Sequence, residues 1–114
     1  MDAEPYCVCL ITTPTADKAA EIARVLVEER LAACVNIVPQ VRSIYRWQGR
    51  IEDEAEALMV VKTARARFAA LQQRVHGLHP YTTPEVIALP LVAGAEKYLR
   101  WLGAETAPAL DEAG

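Results

Sequence analysis

The stretch from Ala33 to Thr63 constrains the fold more than any other part of the chain. It carries two β-rich arms, Ala33–Trp47 and Arg50–Lys62, on either side of Gln48-Gly49. Gly49 accepts the positive φ that a two-residue hairpin loop demands, so this pattern predicts one long antiparallel hairpin. At roughly 3.3 Å per residue, the first arm would extend about 50 Å. A compact domain of this length has a radius of gyration of about 13 Å, hence a diameter of roughly 34 Å. The hairpin is therefore expected to protrude beyond its own domain. A lone two-stranded ribbon is marginally stable and leaves open edges, and this one would hold Ile44, Tyr45, Trp47 and Ile51 in water at its tip. Two arrangements relieve that exposure. The tip packs on a neighbouring subunit, giving an obligate small ring, or the ribbon bends at Pro39 and folds back over its own sheet.

Around the hairpin the chain reads in order. Tyr6–Thr13 is a continuous apolar run ended by Pro14, which fits a buried central strand. Ala19, Ile22, Ala23 and Leu26 follow at helical spacing, with Thr15 as N-cap and Asp17 near the positive end of the dipole, and the helix should end near Arg30. After the hairpin, Thr63 is expected to cap a second helix whose inner face is Phe68, Leu71, Val75 and Leu78, stopped by Gly77 with Pro80. Pro84–Val92 predicts a last strand punctuated by its prolines. A third helix is expected to turn Ala95, Tyr98, Leu99 and Leu102 inward and to stop at Gly103, with a frayed tail from Ala104. The order is the split βαβ duplication of an α+β, ferredoxin-like βαββαβ sheet with an added C-terminal helix. Residues 1–114 form a single domain with its core over about 6–102. Helices on one face would leave the other bare, a second reason to oligomerise.

Composition narrows the function classes. A chain of 114 residues can bury a core without disulfides or metal. The net charge of −3, with no basic run, argues against nucleic-acid and anionic-membrane partners. There is no basic start to a signal peptide and no apolar run near the ~18 residues that span a bilayer, so a cytoplasmic location is expected. The cysteines, Cys7, Cys9 and Cys34, all fall in predicted strands and suit small buried hydrophobes of a reducing compartment.

Several groups could carry chemistry. His79-Pro-Tyr-Thr-Thr-Pro-Glu85 presents an imidazole, a phenol, hydroxyls and a carboxylate on a backbone preset by its prolines. The same residues could equally fasten the second helix to the last strand. Glu52, Glu54 and Glu56 share one strand face and Asp53 the other, with Arg42, Arg46 and Arg50 near enough in sequence to pair with them as a solvated charged face. Cys7 and Cys9 would hold their sulfurs about 6 to 7 Å apart on one strand face, poor for a disulfide and unlike a zinc knuckle. His76 and His79 sit three apart at a helix end, and Lys62 closes an apolar run. No nucleophile elbow, phosphate loop or Gly-x-Gly-x-x-Gly is present.

Thr12-Thr13-Pro14, Leu31–Ile37, Ser43–Gly49, Glu56 with Lys62-Thr63, His79-Pro-Tyr81 with Pro84-Glu85, and Tyr98–Trp101 together resemble the CutA1 family, the divalent-cation-tolerance proteins. The resemblance implies a tight homotrimer, similar in architecture to the PII signalling proteins, with long strands paired across subunits and a ligand cleft between them. Carried over by position, Tyr45, Trp47, Glu56, Lys62, Tyr81 and Glu85 are the implied cleft residues, with His79 as the implied metal ligand. The ligand would be copper(II), another divalent cation or a small molecule. Family members credited with copper binding resemble a pattern with Cys before Thr-x-Pro and paired histidines before Pro-Tyr, where this chain has Ile11 and Leu78-His79. The function implied is a non-enzymatic trimeric binding or signalling module for divalent-metal tolerance. The alternatives are a structural trimer that anchors another protein, and an enzyme using His79 as acid or base.

Overall fold

The computed structural model describes residues 2–108. Strand β1 (Tyr6–Thr13) is followed by helix α1 (Ala16–Glu28), the long strands β2 (Cys34–Trp47) and β3 (Arg50–Ala64), a 3-10 turn (Arg65–Arg67), α2 (Phe68–Leu78), β4 (Val86–Pro90) and α3 (Glu96–Thr106). The strands form one antiparallel sheet in the order β2-β3-β1-β4, the ferredoxin-like arrangement expected from the βαββαβ order.

β1 is central because both of its faces can be covered. Cys7, Cys9, Ile11 and Thr13 are fully buried, while the alternate Val8, Leu10 and Thr12 are half-buried on the opposite face. The covered face meets Ala19, Ile22, Ala23 and Leu26 of α1 and Leu71 and Val75 of α2, with Phe68 and Leu78 half-buried at the margin. Thr15 caps α1 as its sequence position suggests, its hydroxyl accepting from the Lys18 N–H at 3.0 Å. At the other end Arg30 adopts φ 61 and returns the Leu31 N–H to the Leu26 carbonyl. The Arg30 guanidinium then donates to the carbonyls of Ala104 and Ala107 at the end of α3, and its own carbonyl accepts from Arg67.

The hairpin does not fold back at Pro39. Its ladder runs to Trp47 opposite Arg50, and the molecule measures 46 × 30 × 23 Å. The register shifts between Val38 and Val41, a bulge around the proline that lacks an N–H for the ladder. Gln48 and Gly49, at φ 50 and 78, close the turn with two positive φ values.

Four local expectations give way to tertiary structure. Thr63 caps no helix: it lies inside β3, its hydroxyl donating to the Leu31 carbonyl at 2.7 Å, and α2 begins without a side-chain cap. Gly103 is not a stop, since α3 continues through Thr106; a Cβ there would come within 2.8 Å of the Tyr6 hydroxyl. The frayed tail is therefore helical over 104–106, and residues 109–114 lie outside the described residues. On α3 the inner face is Leu99, Leu102 and Thr106; Ala95 is exposed and Tyr98 is 42 % exposed. Finally, the helices do not all share one face. α3 packs with Tyr6, Ala3 and Ala33 in a second small core on the other side, at the sheet end remote from the hairpin tip. What it leaves uncovered is an apolar strip that includes half-buried Leu10 and Val60 and exposed Ile87 and Leu89.

Candidate functional site

The strand register places Tyr45 opposite Glu52, Ser43 opposite Glu54 and Val41 opposite Glu56, so the three glutamates and Tyr45 rise from one face of the hairpin. The loop between α2 and β4 wraps over the same face. Its Tyr81 hydroxyl donates to Glu56 Oε2 at 3.1 Å, and Tyr45 donates to Glu54 Oε2 at 3.3 Å. Between hairpin and loop lies a cavity of about 750 Å³, lined by these residues with Thr12, Ser43, Ile44, Trp47, Thr82, Thr83 and Glu85.

Its electrostatics are one-sided. Glu52, Glu54, Glu56 and Glu85 line it, and no lysine, arginine or histidine does. Partial burial and the neighbouring Glu56 carboxylate push the Tyr81 phenol up to about 12. Tyr45 is raised by desolvation and by the charges of Glu54, Glu56 and Glu52. The arginines expected to balance this row do not reach it. Arg42 forms its bidentate bridge with Asp53, on the opposite face of the ribbon, at 2.6 and 2.8 Å.

Tyr45, Trp47, Glu56, Tyr81 and Glu85 thus meet at one cavity within a single chain. Lys62 does not: it sits opposite Val8 and Cys34, six residues beyond Glu56 along β3 and roughly 20 Å away. His79 stands behind the site and is fully engaged there. Its Nδ1 accepts from the Tyr81 N–H at 3.1 Å, which leaves Nε2–H to donate to the Thr12 carbonyl at 2.7 Å. Its ring packs 4.7 Å from that of Tyr81. His79 therefore orients the Tyr81 loop, and to ligate a metal it would have to surrender one of these bonds. Among the described residues no three histidine, cysteine or acidic side chains gather into a cation cage.

Cys7 and Cys9 are closer than strand spacing suggests, with sulfurs 3.9 Å apart, because both rotamers lean together in the core. The contact and burial push the Cys9 thiol up and the same contact lowers that of Cys7. Glu52 and Glu54 are the site residues that sequence reasoning left in the solvated face. Their signal was the period of two shared with Glu56, but the loop that turns that face into a cavity is remote in sequence.

No helix among the described residues is long and apolar enough to cross a membrane. Residues 7–105 match the family model described as CutA1 divalent ion tolerance protein. The divalent-cation tolerance protein CutA of Thermus thermophilus is 54% identical over 99 residues, covering 87% of this chain and 96% of its own. Mouse protein CutA is 50% identical over 92 residues, and the match covers 81% of this chain but only 52% of the mouse protein. Among solved structures, the Thermus thermophilus divalent cation tolerance protein superposes with a TM-score of 0.87 at 53% identity, covering 90% of this chain and 99% of that one. The shared sheet, the protruding hairpin and the matched span agree: this chain belongs to the CutA1 divalent ion tolerance protein family.

Proposed function

We propose that the chain is a non-enzymatic binding and signalling module of divalent-metal tolerance that works as a homotrimer and takes a cationic ligand at the hairpin cavity. The observation that carries this reading is the lining itself: four carboxylates around about 750 Å³ with no basic side chain among them. Such a surface is repulsive to itself and attracts cations. The trimer is supported by what one chain leaves uncovered. Ile44 and Ile51 at the tip are 64% and 63% exposed, and Ile87 and Leu89 on the bare sheet face are each 48% exposed. Neighbouring hairpins packed on these surfaces would also roof the cavity. A cytoplasmic location fits three unpaired cysteines, of which Cys7 and Cys9 are buried and Cys34 is half-buried. Copper(II), the metal implied by resemblance, finds no free imidazole in His79, so the reading assigns the cation to the glutamate row.

Two measurements test it. Sedimentation at micromolar concentration is expected to give three subunits, and a monomer mass would remove the trimer. Divalent and small organic cations should raise the melting temperature, by the equivalent of about 2.7 kcal/mol at a hundredfold excess over Kd. Absence of any shift, or the same shift in Glu56→Gln, would remove the cavity as the binding site.

A further inference from the structure

Three sulfur-bearing side chains share the helix-covered face of the sheet. Cys7 and Cys9 project from alternate residues of β1, and Met59 of β3 stands opposite Ile11, diagonal to Cys9. Such diagonal neighbours lie about 7–8 Å apart, within reach of a long side chain. All three residues are at most 1% exposed and belong to one core. Alternate strand positions would set the two thiols about 6 to 7 Å apart, yet their sulfurs stand at 3.9 Å, joined by nothing stronger than a weak thiol hydrogen bond. That gap suits two thiolates on one metal: with bonds of about 2.3 Å, an ion between them subtends about 116°, close to the trigonal angle. Charge narrows the ion. The Arg65 guanidinium acts on Cys7 and, with the Cys9 contact, lowers its thiol. Two thiolates and a monovalent cation leave one negative charge, which Arg65 offsets; a divalent cation would leave Arg65 unbalanced beside the core.

We infer that Cys7, Cys9 and Met59 form a buried site for copper(I), a soft monovalent ion held by two thiolates and a thioether in trigonal coordination. Thiolate and thioether together favour copper(I) over harder divalent ions, and zinc asks for a fourth donor. On binding, both S–H bonds break, two copper–sulfur bonds form and the protons pass to the buffer, with no change in the oxidation state of copper. The site is separate from the glutamate cavity, because Thr12, which lines that cavity, projects from the other face of β1. It therefore stands independently of the cation reading above. The ion enters by local opening of the β1 end where Cys7 lies, and burial then shields it from water and oxidant.

Anaerobic titration of the full, reduced chain with copper(I) as its bicinchoninate complex tests this, since the colour reports what the chelator retains. One copper(I) per chain is expected. Cys7→Ala and Cys9→Ala should each weaken uptake at least a hundredfold, and Met59→Leu, which conserves volume, at least fivefold. Cys34→Ala and Glu56→Gln should leave it unchanged, with circular dichroism as the folding control for every variant. Copper K-edge absorption on the wild type, which depends on no variant, should show sulfur neighbours only, at about 2.3 Å. Failure to draw copper(I) from the chelator overturns the inference, as does undiminished uptake in Cys7→Ala. So do nitrogen or oxygen neighbours in the absorption spectrum, or uptake lost in Cys34→Ala, which would place the ion at the half-buried thiol.

Discussion

Gly77 and Gly103 both lie inside helices, and the same substitution is expected to act on them with opposite sign. At Gly77 an added Cβ meets nothing within 4 Å. Alanine there gains helix propensity, up to about 0.8–1.0 kcal/mol. At Gly103 the Cβ would stand 2.8 Å from the Tyr6 hydroxyl and 3.4 and 3.5 Å from two ring carbons. Tyr6 cannot swing clear, because it is 9% exposed and held by Leu99, Leu102 and Ala33. Overpacking of this kind costs about 1–3 kcal/mol. Set against the same propensity gain, Gly103→Ala should be destabilising by about 0–2 kcal/mol, so the two variants should differ by roughly 1–3 kcal/mol. Urea unfolding at one matched protein concentration, which keeps subunit association constant, reads the difference as a shift in midpoint at unchanged slope. Equal midpoints, or a more stable Gly103→Ala, would refute the close approach as the reason for glycine in α3.

Three further outcomes follow from the geometry. Thr15→Ala removes the cap of α1 and should cost about 1 kcal/mol in the same assay, with Thr15→Asn restoring most of it. Tyr81 should ionise near pH 12 in an ultraviolet titration, against 10.0 for an ordinary tyrosine, and Glu56→Gln should bring it down. Its pKa is raised on folding, so the stability it contributes is complete below pH 10 and is lost as pH rises toward 12, where the unfolded phenol ionises first. Copper(II) uptake, counted by native mass spectrometry, should be the same in the wild type and in His79→Gln, because both imidazole nitrogens are already spent on backbone groups; loss of bound copper in the variant would show that the ring can be released.

What could be read from the sequence was what neighbours along the chain decide. The apolar run of β1, the Thr15 cap and the Gln48-Gly49 turn all have local causes, and length alone announced the protrusion of the hairpin. Roles set by remote partners were not legible. Thr63 and Gly103 carry ordinary cap and stop chemistry, and only the approach of Leu31 and Tyr6 reassigns them. Arg42 could have served either face of the ribbon; the pleat commits it to Asp53. At the site, the residues matched to the family gather as a group except Lys62 and His79, and the difference is again one of placement. Strand geometry carries Lys62 away from Glu56, and the backbone occupies His79 before any ligand could.

Arg30 ties together the exit of α1, the turn ahead of α2 and the last turn of α3. It does so at the Ala64 end of β3, twelve residues and about 40 Å of strand from Glu52. Sites so far apart respond to substitution independently. The molecule is thus divided along its length into an end that gathers the helices and an end that carries the cavity, and side chains lining the cavity can change without loosening the knot that holds the helices.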